Sequence, residues 1–251
     1  MKAMSRTIRI AAGLAVSAVA ILLFGYSVVA DTPGHAGKQA LWSNVAFQIG
    51  RLRAELGFDQ LTPRVREALL AVPREQFMPE DKRHLAHENR PIPIGFGQTI
   101  SQPLIVAVMT ELLAIEAGDK VFELGTGSAY QAAVLDELGA EVYSVEIVPE
   151  LATRARQTLD RLGHEDVNTR TGDGYFGWPE VAPFDAIIVT AASDHIPPPL
   201  LQQLKPGGRM LIPVGSRYAT QKLVLVTRDA DGVARTREIL PVTFVPLTGQ
   251  R

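Results

Sequence analysis

The chain contains no cysteine. That absence excludes disulfide bonds, zinc–thiolate sites and catalysis by a thiol, and it leaves the redox compartment open. A surplus of one charge is missing as well: 25 Lys and Arg stand against 27 Asp and Glu, a formal net charge of -2. Nucleic-acid binding ordinarily leaves a basic patch, so that partner class gains no support. Internal repeats and low-complexity tracts are also absent. His84 and His87 lie three positions apart, but no acid or third histidine is spaced to complete a site, and no metal is expected. What remains is 46% apolar and 21% charged residues in a chain of 251. That is an ordinary globular composition, long enough for one α/β domain with a sizeable core.

The N-terminus differs in character. MKAMSRTIR carries Lys2, Arg6 and Arg9 and no acid, and an uncharged run then continues to Ala30. Val28 and Ala30 form a small-residue cleavage pattern before Asp31. Residues 1–30 read as a secretory signal peptide. An uncleaved membrane anchor is the rival reading, and a misassigned start codon the bland one. Either of the first two sends the remainder across the membrane. An exported, periplasmic location is therefore expected, with a cytoplasmic one as the alternative. Membrane contact would come only through this segment, if uncleaved. Residues 31–40 read as a short polar linker and 41–251 as the folded domain.

Leu41 to Leu56 is amphipathic enough for a helix. Thr62 before Pro63 reads as an N-cap with proline at the first helical position, and that helix should end near Ala71. HENRPIPIGFGQTISQP is rich in Pro and Gly and reads as a loop, after which Ser101 should cap a helix from Pro103 to about Ile115. Strands and helices then alternate: Val121–Leu124, Tyr130–Leu138, Glu141–Glu146, Pro149–Leu162, Val167–Thr171, Asp185–Thr190, Pro198–Leu204. KPGG is a turn before a strand at Arg209–Val214, and two late strands should pair antiparallel at the sheet edge. Arg154 and Arg156 are placed on a solvated helix face and His195 in a loop. The alternation implies a doubly wound, mostly parallel sheet.

In such a sheet a ligand sits beyond the carboxyl ends of the strands, at the switch point. ELGTGSAY, Glu123 to Tyr130, is in that place. A dinucleotide fingerprint requires a small third residue, G-x-G-x-x-G/A. Here Gly125 and Gly127 fit but the third position is Tyr130, which disfavours a nicotinamide oxidoreductase. The spacing E-x-G-x-G-x-G of S-adenosylmethionine (SAM) methyltransferases fits Glu123, Gly125 and Gly127, with Ala129 in place of the last glycine. SAM has no phosphate, so the loop has only to allow close backbone approach. Glu146, 21 residues after Gly125, ends the next strand, where a carboxylate can accept both ribose hydroxyls. Asp173 could accept from the adenine amino group, and Gly174 would leave room for the ring. Each acid alone could equally be a cap or turn residue.

VPREQF, GQTISQP, MTELL, ELGTGSAYQAAVL, GDG, APFDAIIVTAA, QLKPGGRMLIPVG and FVPL occur in this order. From about Gln48 onward the chain closely resembles the protein-L-isoaspartate O-methyltransferases. The resemblance implies a Rossmann-like class I SAM methyltransferase with N-terminal helices and antiparallel C-terminal edge strands. It implies SAM as cofactor and methylation of the α-carboxyl of isoaspartyl residues in damaged proteins and peptides. The ester then closes to a succinimide with loss of methanol and reopens partly to aspartate. The family's functional serine falls on Ser101, and its cofactor positions on Glu123, Gly125, Thr126, Gly127, Glu146, Asp173 and Gly174. Departures are His87 near the family's usual aromatic, GSAY in place of GSGY, and the signal-like segment.

Such a reaction needs no strong base, because the carboxylate is already ionised at pH ~7. Ser101 would orient it, although the same serine could simply cap the following helix. Thr99 and Gln102 could line the substrate site, and the backbone of Thr190, Ala191 and Ala192 could pair with a bound peptide as an edge strand does. The protein is expected to act as a monomer. Alternatives are a SAM methyltransferase with another acceptor, or an exported and catalytically weak binding module. Ala129 is expected to be helical and to leave room for SAM. A positive φ there, or its methyl group at the methionine moiety's place, would count against an active enzyme.

Overall fold

The computed structural model describes residues 33–216 and 220–249; the signal-like segment 1–30 lies outside them. The chain opens with α1 (Pro33–Arg51) and α2 (Arg53–Leu56), followed by α3 (Pro63–Ala71). Leu41, Val45 and Ile49 recur at helical spacing and are all buried, which fixes α1 to the domain. The expected linker is therefore only partly a linker. The helix already starts at Pro33, a residue suited to a first helical turn, and Lys38 Nζ bonds Leu70 O at 2.5 Å. The α3 expectation is met in detail, with Thr62 Oγ1 accepting from Val65 N.

The stretch read as a loop contains a hairpin, β1 (Ile92–Gly95) and β2 (Gln98–Ile100), paired antiparallel. Its connection is Phe96–Gly97, both at positive φ, the backbone that two-residue hairpins favour. Ile92, Ile94 and Ile100 are buried beneath it. The apolar alternation of a short strand was hidden among Pro and Gly residues. Arg154 is not merely solvated: Nη2 donates to Ile94 O at 2.6 Å and ties the hairpin to the domain. Arg156 likewise donates to Val167 O and His164 O.

After α4 (Pro103–Leu113) come β3 (Lys120–Leu124), α5 (Tyr130–Glu137), β4 (Glu141–Glu146), α6 (Pro149–Leu162), β5 (Asn168–Thr171), β6 (Phe184–Val189), α7 (Pro198–Gln203), β7 (Leu204–Val214), β8 (Gln221–Arg228) and β9 (Ala234–Val242). They form one seven-stranded sheet in the order β5-β4-β3-β6-β7-β8-β9. The strands from β5 to β7 are parallel, and β8 and β9 are antiparallel at the edge, as the sequence implied. β3 and β6 are buried along nearly their whole length because helices cover both faces. KPGG is not a turn before β7 but lies within it, where the pairing with β6 shifts register. Gly207 at positive φ absorbs that irregularity. Among the described residues no helix is long and apolar enough to cross a membrane.

Candidate active site

The sheet reverses direction of winding between β3 and β6, and the loop after β3 opens there. Gly125 has φ +98°, and a side chain at that position would collide with Thr190 Oγ1. Thr190 Oγ1 instead donates to the carbonyls of Leu124 at 3.0 Å and Gly125 at 2.7 Å. Gly127 has φ +53°, and nothing lies nearer than 3.8 Å to where its Cβ would stand. The backbone at Gly127 is thus open to close approach by a ligand.

Two carboxyl groups frame the loop, in contrasting settings. Glu146 ends β4, and its two oxygens accept from Gly127 N at 2.7 Å and Val148 N at 2.9 Å. Each oxygen keeps a lone pair for a hydroxyl donor. Glu123 is wholly buried, and burial pushes its carboxyl up to about 8. Ser144 Oγ donates to Glu123 Oε2 at 2.5 Å and shares a 2.6 Å bond with Thr126 Oγ1, whereas Glu123 Oε1 has no partner. Ser144 was not anticipated. The available signal was a serine inside the apolar strand EVYSVE, in register with Glu123.

Thr126 and Gly127 line the resulting cleft together with Glu123, Gly125, Glu146, Gly174, Thr190 and Ala191. Gly174 serves packing as well, since a side chain there would strike Leu124. Asp173 does not line the cleft. Its Oδ1 accepts from Tyr175 N at 3.0 Å, and the backbone at Gly249 lies against the carboxylate. The C-terminal residues Val245 to Thr248 form a wall that sequence reasoning missed.

A second groove adjoins this cleft and contains Pro91, Gln102, Ile105, Thr243 and Phe244. The two spaces share Thr99, Ser101, Thr190 and Val245. Ser101 does not cap α4. The residue at the cap is Gln102, with no side-chain capping bond, and Leu104 N donates instead to Asn89 Oδ1 at 3.1 Å. Asn89 is 15 residues away in sequence, too distant for local reasoning to find. The capping role assigned to Ser101 is thus taken by another residue. Gln102 is held by its Nε2 on Asn89 O. The edge-strand expectation for Thr190–Ala192 fails, because Thr190 N donates to Leu124 O, Ala192 N to Val245 O at 2.8 Å, and Leu247 N to Ala192 O at 2.7 Å. The chain's own C-terminal segment occupies the edge that a peptide would use, and Ala192 lines neither space.

Ala129 also departs from expectation. It is not helical but precedes α5 at φ +68°, in the left-handed region. Its N–H bonds Thr126 O at 2.7 Å, and its carbonyl accepts from Ala133 N at 3.0 Å. The methyl group is buried in the apolar core and is not among the atoms facing the cleft. The backbone condition set against an active enzyme is met, whereas the obstruction condition is not.

A doubly wound sheet, an open glycine loop at its switch point, a strand-end carboxylate and an unpartnered buried carboxyl oxygen fit SAM, and they define a class I SAM-dependent methyltransferase domain. The chain belongs to the protein-L-isoaspartate(D-aspartate) O-methyltransferase family, whose model matches residues 52–251. It is 55% identical over 220 residues, 88% of this chain and 89% of the relative, to protein-L-isoaspartate O-methyltransferase 2 of Syntrophobacter fumaroxidans. It is 48% identical to protein-L-isoaspartate O-methyltransferase 1 of Cupriavidus necator, over 94% of this chain and 91% of that one. A solved protein-L-isoaspartate O-methyltransferase aligns with TM-score 0.69 at 28% identity, over 81% of this chain and 66% of the other. A Plasmodium falciparum structure, in complex with S-adenosyl-L-homocysteine (SAH), shares the fold with TM-score 0.70 at 23% identity, over 84% of this chain and 98% of that one.

Proposed function

We propose that Ser101 and Thr99 orient the α-carboxylate of an L-isoaspartyl residue for methylation by this protein-repair methyltransferase. The observation that carries this reading is the junction of the cofactor cleft and the adjoining groove at Thr99 and Ser101. When bound, SAM supplies an electrophilic methyl group, which a carboxylate oxygen takes by in-line displacement while the carbon–sulfur electron pair stays on sulfur. Gly125, Thr126 and Gly127 would bring backbone close to the methionine part, and Glu146 would accept from the ribose hydroxyls. Ser101 donates to one carboxylate oxygen and so sets the angle of the other. No proton has to be removed from the nucleophile, and the protein works by positioning and by excluding water. A peptide lies in the groove against Gln102, Ile105 and Phe244 and cannot pair with Ala192.

Transfer of tritiated methyl to an isoaspartyl peptide, but not to its aspartyl twin, is expected. Transfer to both, or to neither by a protein that binds SAM, would sink the acceptor assignment. Ser101→Ala removes one hydrogen bond to a charged group, so kcat/KM should fall about 10- to 100-fold with SAH affinity unchanged. We also propose that the chain is exported through residues 1–30. The basic residues Lys2, Arg6 and Arg9 ahead of an uncharged run support this.

A further inference from the structure

Gln221 is the first residue of β8, opposite Val242, the last residue of β9. Beyond Val242 the chain leaves the sheet and crosses its carboxyl edge. The side chain of Gln221 extends the ladder across that departure. Its Oε1 accepts from Phe244 N at 2.6 Å, and its Nε2 donates to Phe244 O at 3.1 Å. A primary amide presents a donor and an acceptor side by side, as a neighbouring strand would. Gln221 is only 4% exposed, and Gly215 packs so close that a Cβ there would lie 3.0 Å from the Gln221 Cα.

The segment so held is then caught a second time, by the Ala192 pairing with Val245 and Leu247. Between these two points it divides the site. Val245 to Thr248 face the cofactor cleft, Thr243 to Val245 face the groove, and Val245 faces both. Gln221 itself lines neither space. We propose that Gln221 is a positioning residue for both substrates, because its amide fixes the partition that cofactor and peptide share. This rests on the methyltransferase reading of the site.

The test uses the full chain carrying Gln221→Leu or Gln221→Glu. In Gln221→Leu the Kd for SAH, measured by calorimetry, and the KM for an isoaspartyl peptide should both rise about tenfold. The kcat should change little, because Gln221 touches no reacting atom. Gln221→Glu keeps the shape but has a titrating donor. Protonated, it can serve both atoms of Phe244; ionised, it sets a second acceptor against the Phe244 carbonyl. Lys222, the next residue on β8, pairs with Glu238 of β9 3.7 Å away. The ratio of the Gln221→Glu Kd for SAH to that of the parent should therefore be near unity at pH ~5.5 and climb toward the Gln221→Leu value by pH ~8.

A folded Gln221→Leu with both constants unchanged would overturn the proposal, as would a change in the peptide constant alone. A pH-independent ratio for Gln221→Glu would overturn it also, and this variant decides the matter if Gln221→Leu does not fold. Should the parent bind SAH yet fail to methylate isoaspartyl peptides, the acceptor assignment falls while the SAH measurements still judge Gln221.

Discussion

Glu123 is a wholly buried carboxyl with one oxygen unpartnered, and among the described residues its only side-chain hydrogen bond comes from Ser144. Desolvation dominates, so the group holds its proton up to about 8 instead of the usual 4.5. Between these values the unfolded chain has lost the proton and the folded chain has kept it. Stability should therefore fall as pH rises through that window and be level below and above it. Urea unfolding of the ligand-free protein should show this slope, and Glu123→Gln should flatten it. An equal slope in both would locate the titration elsewhere. At Ala129 the terms nearly cancel. Relief of the left-handed conformation would return about 1–2 kcal/mol. Ala129→Gly also gives up a buried methyl worth about 0.8 kcal/mol and loosens the unfolded chain by about 0.4–1 kcal/mol. The melting temperature should thus shift by no more than about 4 °C. Ala129→Val adds a β-branch and volume in a filled core, and should lower it by roughly 5–10 °C. Ala129 is then a strain that the fold tolerates, with its methyl group buried in the core.

At the scale of elements, strands and helices with their own periodicity were legible. Glu141–Glu146 and Pro149–Leu162 appear as read, with Gly163 in the left-handed conformation just after α6. Errors arose where a partner from elsewhere in the chain settled the matter. The β1–β2 hairpin is short and interrupted by Pro93, Gly95 and Gly97, and it exists because its isoleucines find a core to cover. The start of α4 looked self-capped by Ser101, but Asn89 reaches it instead. Asn89 holds three things together: Leu104 N, the Gln102 side chain and Asn44 Oδ1. Asn89→Ala should cost about 1 kcal/mol for the lost cap, seen as a lower melting temperature. The Gln102 bond goes to the Asn89 backbone carbonyl and survives the substitution, so the peptide KM should change little. A raised KM would mean that the lost bond to Leu104 N also positions Ser101.

On the scale of the whole molecule, the sheet collects the site from distant stretches of chain. The proposed export is decided at this scale too: a reporter joined after Arg251 should be active only in the periplasm, and cytoplasmic activity would refute the signal reading. By itself the sequence determined the alternation that dictates a parallel sheet, the glycine spacing that admits SAM, and the strand-end acid Glu146. These are local, because periodicity and backbone freedom act within a few residues. The fate of Asp173, the conformation of Ala129, the occupied edge at Ala192 and the double grip of Gln221 on Phe244 were decided only by tertiary structure. The edge at Ala192 and the grip of Gln221 depend on backbone donors and acceptors tens of residues away that the folded chain brings within reach. Ala129, by contrast, bonds within its own turn and is set by the core around its methyl group, and Asp173 by the backbone at Gly249. Buried polar groups must find such partners wherever the fold supplies them.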